Sequence, residues 1–133
     1  MNLEKKILVV EDERPLSDAL YDRLTREGFS VLVAHDGEEG LSIAIRERPD
    51  LILLDVVMPV MDGLSMLKRL REDPWGTTAV VILLTNLSET AKVAEVLEQN
   101  VSDFLVKTDW KLQEVVAKVR SRLHLPPSSQ IQN

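Results

Sequence analysis

The sequence contains no cysteine and no long apolar run. Without cysteine there is no disulfide framework, no thiolate nucleophile and no cysteine-based metal site. A membrane-spanning helix needs roughly 18 consecutive apolar residues, and no run approaches that length. Residues 1–6 lead directly into the first apolar run, without the hydrophobic region of a secretory signal. We therefore expect a cytoplasmic protein that does not span a membrane.

Basic residues are too few to balance the acidic ones. Sixteen Lys and Arg residues face 22 Asp and Glu residues, which gives a net charge of −6. Binding to nucleic acid through charge needs a basic surface, and an anionic membrane surface attracts basic segments. We therefore expect neither direct nucleic-acid binding nor membrane binding. The chain has 133 residues, 44% of them hydrophobic, so it can form one domain with a sizeable core.

Five short apolar runs alternate with segments of helical periodicity. The runs are residues 7–10, 31–34, 51–54, 80–84 and 104–106. They are continuous rather than alternating in polarity, which is typical of strands whose two faces are both buried. This alternation of strands and helices predicts an α/β fold of five βα units. In that fold a five-stranded parallel sheet is doubly wound, with helices on both faces.

Residues that favour helix ends bound the predicted helices. They are Pro15 and Gly28 for the first helix, Asp36 and Pro49 for the second, Gly63 and Pro74 for the third, Ser88 for the start of the fourth and Asp109 for the start of the fifth. Ser and Asp side chains can accept hydrogen bonds from the first backbone N–H groups of a helix, and Pro is tolerated in the first turn or beyond the end. We expect the apolar face of the second helix to carry Leu41, Ala44 and Ile45.

Polar residues follow four of the five apolar runs, where each predicted strand ends. They are Glu11 and Asp12, Asp55, Thr85 and Lys107. Because the C-terminal ends of parallel strands share one edge of the sheet, these side chains should converge there. Each residue alone also fits a helix cap, a loop or the surface, and we interpret Glu13 as a surface residue. Together they suit a carboxylate that accepts a phosphoryl group beside a divalent cation.

In their order and composition these motifs resemble a response-regulator receiver domain of two-component signalling. The resemblance covers about residues 4–124 and depends on four motifs. They are Ile7-Leu8-Val9-Val10-Glu11-Asp12-Glu13; Asp50-Leu51-Ile52-Leu53-Leu54-Asp55 with Met58-Pro59 and Met61-Asp62-Gly63; Leu83-Leu84-Thr85; and Phe104-Leu105-Val106-Lys107. The family implies a chemotaxis-type, flavodoxin-like fold with strand order 2-1-3-4-5. Residues 1–125 would be the receiver domain, and residues 126–133 a C-terminal tail or the start of a linker.

The resemblance implies a phosphoacceptor and a magnesium site. Asp55 would be the phosphoacceptor. Mg²⁺ would be bound by the carboxylates of Asp12 and Asp55 and by the backbone carbonyl of Val57, and Glu11 would act through a bound water. The family more often has Asp at the position of Glu11. Glu keeps the charge, but its extra methylene can shift the geometry.

The resemblance also implies a conformational switch. Lys107 would pair with Asp55 and, after phosphorylation, with the phosphoryl oxygens. Thr85 would donate its hydroxyl to a phosphoryl oxygen, and Phe104 would follow Thr85 inward as the aromatic switch residue. The family often has Tyr in place of Phe104 and usually has Pro directly after the lysine, where this chain has Thr108. We therefore expect the loop after Lys107 to differ from the family's, and the sequence leaves the isomer of the Lys107–Thr108 bond open.

The family implies a phosphorylation-activated signalling switch in a two-component system or phosphorelay. A histidine kinase or a phosphotransfer protein would donate a phosphoryl group to Asp55. The protein would not be an enzyme in the usual sense, since it would catalyse only its own phosphorylation and dephosphorylation. The face formed by the fourth helix, the fifth strand and the fifth helix would then change its affinity for a downstream protein partner. A phosphorylation-dependent homodimer is also compatible with this family.

Three alternatives stay open at this point. An aspartyl-phosphate phosphohydrolase generally needs a second acid two residues after the nucleophile, where this chain has Val57. A receiver that binds without being phosphorylated is disfavoured by the intact Asp12, Asp55, Thr85 and Lys107. The chain could also be the receiver portion of a longer transcription regulator, because residues 126–130 have the composition of a linker.

Overall fold

The computed structural model of the protein describes residues 4–86, 101, 103–107 and 111–127. Five strands form one sheet in the order β2-β1-β3-β4-β5, and all neighbouring strands are parallel. The strands are β1 (Lys6–Val10), β2 (Ser30–Ala34), β3 (Leu51–Asp55), β4 (Val81–Thr85) and β5 (Asp103–Val106). The predicted fold class and the predicted strand order are therefore confirmed.

Helices cover both faces of this sheet. They are α1 (Arg14–Arg26), α2 (Gly37–Glu47), α3 (Gly63–Glu72), a 3₁₀ turn (Gly76–Thr78) and a C-terminal helix (Leu112–Arg122). The predicted fourth helix, which would start at Ser88, lies outside the described residues. Within the part of the chain that is described, no helix has the length and apolar character needed to cross a membrane.

The predicted helix ends agree with the structure for α1 and α2. Pro15 lies in the first turn of α1, and Gly28 adopts a φ of +98° just beyond its end. The Asp36 carboxylate caps α2 by accepting from the backbone N–H of Glu39 at 2.8 Å. Asp62 is a further cap that was not predicted: its carboxylate accepts from Ser65 N at 2.8 Å at the start of α3.

The C-terminal helix begins later than predicted. Its N-cap is Lys111, which makes no side-chain capping hydrogen bond, and its first residue is Leu112. Asp109, the predicted cap, lies outside the described residues, as do Thr108 and the bond that joins it to Lys107. One apolar assignment on α2 was wrong: Ile45 is 40% exposed, while Ala44 is fully buried. The face of α2 that packs on the sheet is thus turned away from Ile45.

Two apolar clusters fill the spaces on either side of the sheet. Alternate residues of the strands point to opposite faces, so Leu8, Ile52 and Leu54 join one cluster while Ile7 and Leu53 join the other. The first cluster packs against α2 and α3, and the second against α1 and the C-terminal helix. Burial of both faces explains why the strands are continuous apolar runs in the sequence.

Candidate functional site

Three carboxylates meet at the C-terminal edge of the sheet. Glu11 and Asp12 follow β1, and Asp55 is the last residue of the adjacent strand β3. Glu11 is fully buried and Asp55 is 3% exposed. Carboxylate oxygens of Glu11, Asp12 and Asp55 all lie within 4.8 Å of one another. The parallel register of β1 and β3 therefore brings together residues that are far apart in the sequence, as we expected.

Lys107 supplies the positive charge among these acids. Its backbone N–H donates to the carbonyl of Thr85 at 2.7 Å, which continues the pairing of β4 with β5 and fixes the lysine at the same edge. The ammonium Nζ lies 3.0 Å from Asp55 Oδ1 and 2.8 Å from Glu11 Oε1. It also lies 3.2 Å from Glu13 Oε1. The structure places Lys107 against Asp55 as expected, and it adds two carboxylates to the lysine's partners.

The electrostatics of Asp55 follow from this crowding. Burial and, after it, the negative charge of Glu11 together raise the pKa of Asp55 to about 7, against the opposing effect of Lys107. Burial by itself would lower the pKa of Lys107. The close negative charges of Glu11 and Asp55 outweigh burial, so the pKa of Lys107 lies above its ordinary value. The lysine therefore stays protonated, while the Asp55 carboxyl holds its proton to an unusually high pH.

The donor set fits a hard divalent cation. Mg²⁺ prefers carboxylate, carbonyl and water oxygens, and Glu11, Asp12 and Asp55 offer three carboxylates at close range. Glu11 Oε1 is buried and makes no hydrogen bond of good geometry among the described residues, although Lys107 Nζ lies 2.8 Å away. The excess negative charge of these buried and half-buried carboxylates is what a cation, or a water bound to it, would relieve.

The two predicted switch residues lie on neighbouring strands. Thr85, the last residue of β4, is fully buried, and its hydroxyl donates to the backbone carbonyl of Asn86 at 3.0 Å. Phe104 on β5 is half-buried and packs against the cluster on the α2 and α3 side. Thr85 pairs with Val106, two residues beyond Phe104, so Thr85 and Phe104 project from the same face of the sheet on neighbouring strands. Their role as a switch stays a prediction.

The loop between β3 and α3 forms an exposed rim next to Asp55. Val57 is 52% exposed and Val60 is 75% exposed. Val60 has a φ of +68°, and Met61 N donates to Pro59 O at 2.7 Å around it, which makes a tight three-residue turn. A Cβ atom on Gly63 would overlap the backbone carbonyl oxygen of Asp55. Glycine is therefore required at Gly63 by the close approach of α3 to the candidate phosphoacceptor.

Glu13 is a residue of the site that was predicted to lie only on the surface. Its side chain is 63% exposed, as expected of a surface residue, yet it reaches Lys107. The acid directly after Glu11 and Asp12 was a signal that could have suggested this contact. Its contact with Lys107 could not be identified from the sequence, because the direction of an exposed side chain depends on the packed structure.

The chain belongs to the response regulator receiver domain family. The family model, described as "Response regulator receiver domain", matches residues 7–120. The match includes both strand ends that carry the acids, the threonine and the lysine. Receiver domains are signalling switches, and the match assigns residues 7–120 of this chain to that class of domain.

Curated relatives are transcriptional regulators of about twice this length. The chain is 37% identical to the alkaline phosphatase synthesis transcriptional regulatory protein PhoP of Bacillus subtilis, over 98% of this chain and 55% of that protein. It is 42% identical to the transcriptional regulatory protein CpxR of Klebsiella pneumoniae, over 89% of this chain and 49% of that protein. The chain thus spans about half the length of the curated relatives it matches.

Solved structures of receiver domains have the same fold. The receiver domain of response regulator 1452 from Francisella has a TM-score of 0.80 and 30% identity, and the match covers 89% of this chain and 95% of that one. The receiver domain of the sensor histidine kinase PA1611 from Pseudomonas aeruginosa has a TM-score of 0.80 and 28% identity, covering 90% and 97%. In that structure a magnesium ion is coordinated in the active site cleft.

Proposed function

We propose that this domain is a phosphoacceptor switch of a two-component system or phosphorelay, and that Asp55 receives its phosphoryl group from a phosphohistidine of a histidine kinase or phosphotransfer protein. The observation that carries the proposal is the geometry of Asp55. Its buried carboxylate ends β3 at the sheet edge, within 3.0 Å of a protonated lysine and inside a cluster of acids. A carboxylate placed in this way can act as a nucleophile toward phosphorus.

In the proposed reaction a carboxylate oxygen of Asp55 attacks the phosphorus of the phosphohistidine. An O–P bond forms as the P–N bond breaks, and the histidine nitrogen keeps the electron pair of the broken bond and takes up a proton. Lys107 can hold a phosphoryl oxygen through its ammonium group, and Thr85 can donate its hydroxyl to another after it leaves the carbonyl of Asn86. Positioning and charge compensation are the main contributions that phosphoryl transfer requires of a protein.

The magnesium site belongs to the same proposal. Asp12 and Asp55 would bind Mg²⁺ through their carboxylates, Val57 through its backbone carbonyl, and Glu11 through a bound water. The ion, when bound, compensates the negative charge that gathers as the phosphoryl group meets the carboxylates. The acid cluster of this chain and the magnesium ion in the related PA1611 receiver domain support the assignment.

Output would come from the switch and from the rest of a longer protein. Phosphorylation would draw Thr85 toward Asp55 and let Phe104 move inward, which would shift the population toward a state with a different surface around β5 and the C-terminal helix. Residues 1–125 would form the receiver domain and residues 126–133 a tail or linker start. Because the relatives are transcriptional regulators of about twice this length, DNA binding would be a property of a region outside this domain. The signal would be transmitted in the cytoplasm by a phosphorylation-dependent homodimer or by another downstream partner.

Mass spectrometry of the intact protein tests the proposal. After incubation with Mg²⁺ and phosphoramidate, we expect a single phosphoryl adduct that disappears when EDTA replaces Mg²⁺ and is absent from Asp55→Asn. Asp18→Asn removes an exposed carboxylate of α1 outside the site and should form the adduct normally. Full adduct formation in Asp55→Asn would show that Asp55 is not the phosphoacceptor.

A further inference from the structure

The Glu13 side chain does not serve the helix that it precedes. It is the N-cap residue of α1, but its carboxylate makes no capping hydrogen bond. The carboxylate instead accepts from Lys107 Nζ at 3.2 Å, while the backbone N–H of Glu13 donates to Glu11 Oε2 at 3.1 Å. Glu13 thus makes two hydrogen bonds to residues of the site, one from its backbone N–H to Glu11 and one from Lys107 to its carboxylate.

The three carboxylates around Lys107 differ in their exposure. The side chains of Glu11 and Asp55 are 0% and 4% exposed, whereas that of Glu13 is 63% exposed. Glu11 and Asp55 therefore face the interior of the site, and Glu13 lies on its solvent side. On the solvent side of the site, the negative charge of Glu13 therefore lies next to the positive charge of Lys107.

We propose that Glu13 is a specificity-determining residue that disfavours free anionic phosphodonors at Asp55. The inference rests on the proposed function, since it concerns the donor of the same reaction. A small donor with two negative charges meets the Glu13 carboxylate without compensation. A protein donor can present a cation beside its phosphohistidine, and that cation can pair with Glu13. Glu13 would in this way favour transfer from a protein over transfer from free phosphorylated metabolites.

The size of the effect follows from Coulomb's law. A dianion about 8 Å from one carboxylate in water is repelled enough to slow its reaction roughly five-fold. For a monoanion at the same distance the repulsion free energy is about half as large, which slows the reaction roughly two-fold. The repulsion is screened by salt, because the Debye length falls from about 30 Å at 0.01 M ionic strength to a few Å near 1 M. A purely structural role for Glu13 would depend neither on the charge of the donor nor on salt.

The test compares second-order rate constants for phosphorylation of Asp55 by two small donors. Acetyl phosphate is a dianion near neutral pH and phosphoramidate is a monoanion. With Glu13→Gln at low salt we expect a rate roughly five-fold higher for acetyl phosphate and at most roughly two-fold higher for phosphoramidate, and both ratios should approach one at about 0.5 M salt. Glu13→Asp keeps the charge and should stay close to wild type.

Two further variants serve as controls. Glu72→Gln removes an exposed carboxylate at the end of α3 and should leave both rate constants unchanged. Glu13→Ser removes the charge but supplies a preferred N-cap, so it should be at least as stable as wild type and as fast as Glu13→Gln. Agreement between these two charge-removing variants separates the effect of charge from any effect on folding.

Several outcomes would overturn the inference. They are unchanged rates in Glu13→Gln at low salt, an equal gain for both donors at both salt concentrations, or a gain in Glu13→Asp equal to that in Glu13→Gln. In each case Asp55 would still be phosphorylated and the proposed function would stand. If wild type formed no Asp55-dependent adduct with either donor, the proposed function would fail and this inference would fail with it.

Discussion

Asp55 is placed as a nucleophile, yet its pKa is raised, so its carboxyl group ionises less readily than an ordinary aspartate. Burial and the neighbouring Glu11 raise its pKa to about 7, while Lys107 at 3.0 Å acts in the opposite direction. In the absence of a cation the carboxyl is thus partly protonated near neutral pH. A bound divalent cation would favour the ionised form, which is the form that can attack phosphorus.

The raised pKa of Asp55 predicts a specific pH dependence of stability. Because the folded protein holds this proton up to about pH 7 and the unfolded chain releases it near pH 4, the folded state binds more protons between these values. The associated stability is fully present below about pH 4 and is lost as the pH rises through about 7. Without Mg²⁺, wild type should lose on the order of 2–3 kcal/mol relative to Asp55→Asn between pH 5 and pH 8.

Urea unfolding of both proteins in EDTA at several pH values measures this difference. Asp50→Asn is an unsuitable control, since Asp50 accepts a backbone hydrogen bond from Lys6. Asp18→Asn removes an exposed acid and should follow the wild-type profile. A gap between wild type and Asp55→Asn that stays constant from pH 5 to pH 8 would contradict the assignment of the raised pKa to Asp55.

At the scale of elements, the loop from β3 to α3, beside the site, contains a residue with a positive φ and a close approach of two backbone segments. A β-branched residue with a φ of +68° is strained, because its Cβ approaches the backbone too closely in the left-handed region. Val60 occupies this conformation although the residue is 75% exposed, so packing offsets little of the strain. The turn lets Met61 and Gly63 return to the sheet edge, where Gly63 N donates to Val56 O at 2.8 Å.

Val60→Gly should therefore stabilise the protein. Glycine adopts a positive φ without steric cost, which outweighs its larger loss of chain entropy, and we expect a gain of about 0.5–1 kcal/mol in the free energy of unfolding. Val57→Gly is the matched control: Val57 is also exposed, but its φ is not positive, so this change should lower stability by about 0.5–1 kcal/mol. Chemical denaturation at pH 5 measures both. Equal losses in the two variants would show that the turn at Val60 stores no strain.

At the scale of the whole molecule, the acid cluster links metal binding to folding. The carboxylates of Glu11, Asp12 and Asp55 are brought within 4.8 Å of one another only when β1 and β3 pair. A cation that binds this cluster therefore binds the folded state and shifts the unfolding equilibrium by mass action.

Mg²⁺ should raise the melting temperature of wild type but not that of Asp12→Ala. At a concentration tenfold above the dissociation constant the stabilisation is about 1.4 kcal/mol. Asp12→Ala removes a predicted ligand, and it also relieves repulsion among the acids, so it can be more stable than wild type in EDTA. Asp18→Ala should keep the full response. Thermal unfolding with EDTA or Mg²⁺ decides the matter, and an equal increment in Asp12→Ala and wild type would exclude Asp12 as a ligand.

Most of the fold could be predicted because its signals are local. Continuous apolar runs indicated strands buried on both faces, and caps such as Asp36 marked helix starts that depend on neighbouring residues. The convergence of Asp12, Asp55 and Lys107 at one edge followed from the parallel sheet alone. Errors arose where local signals were ambiguous, as for Ile45, whose side of α2 depends on how the helix is rotated against the sheet.

The sequence by itself determined the fold class, the strands that end at the site and the chemical set that they carry, since these depend on residue order and on hydrophobic pattern. Only the tertiary structure decided which side chains of the site contact one another. The contacts of Lys107 with Glu11 and Glu13, and the close approach of Gly63 to Asp55, join segments that are distant in the chain. Distances of this kind depend on register, helix rotation and side-chain conformation together, and these become defined only when the layers pack.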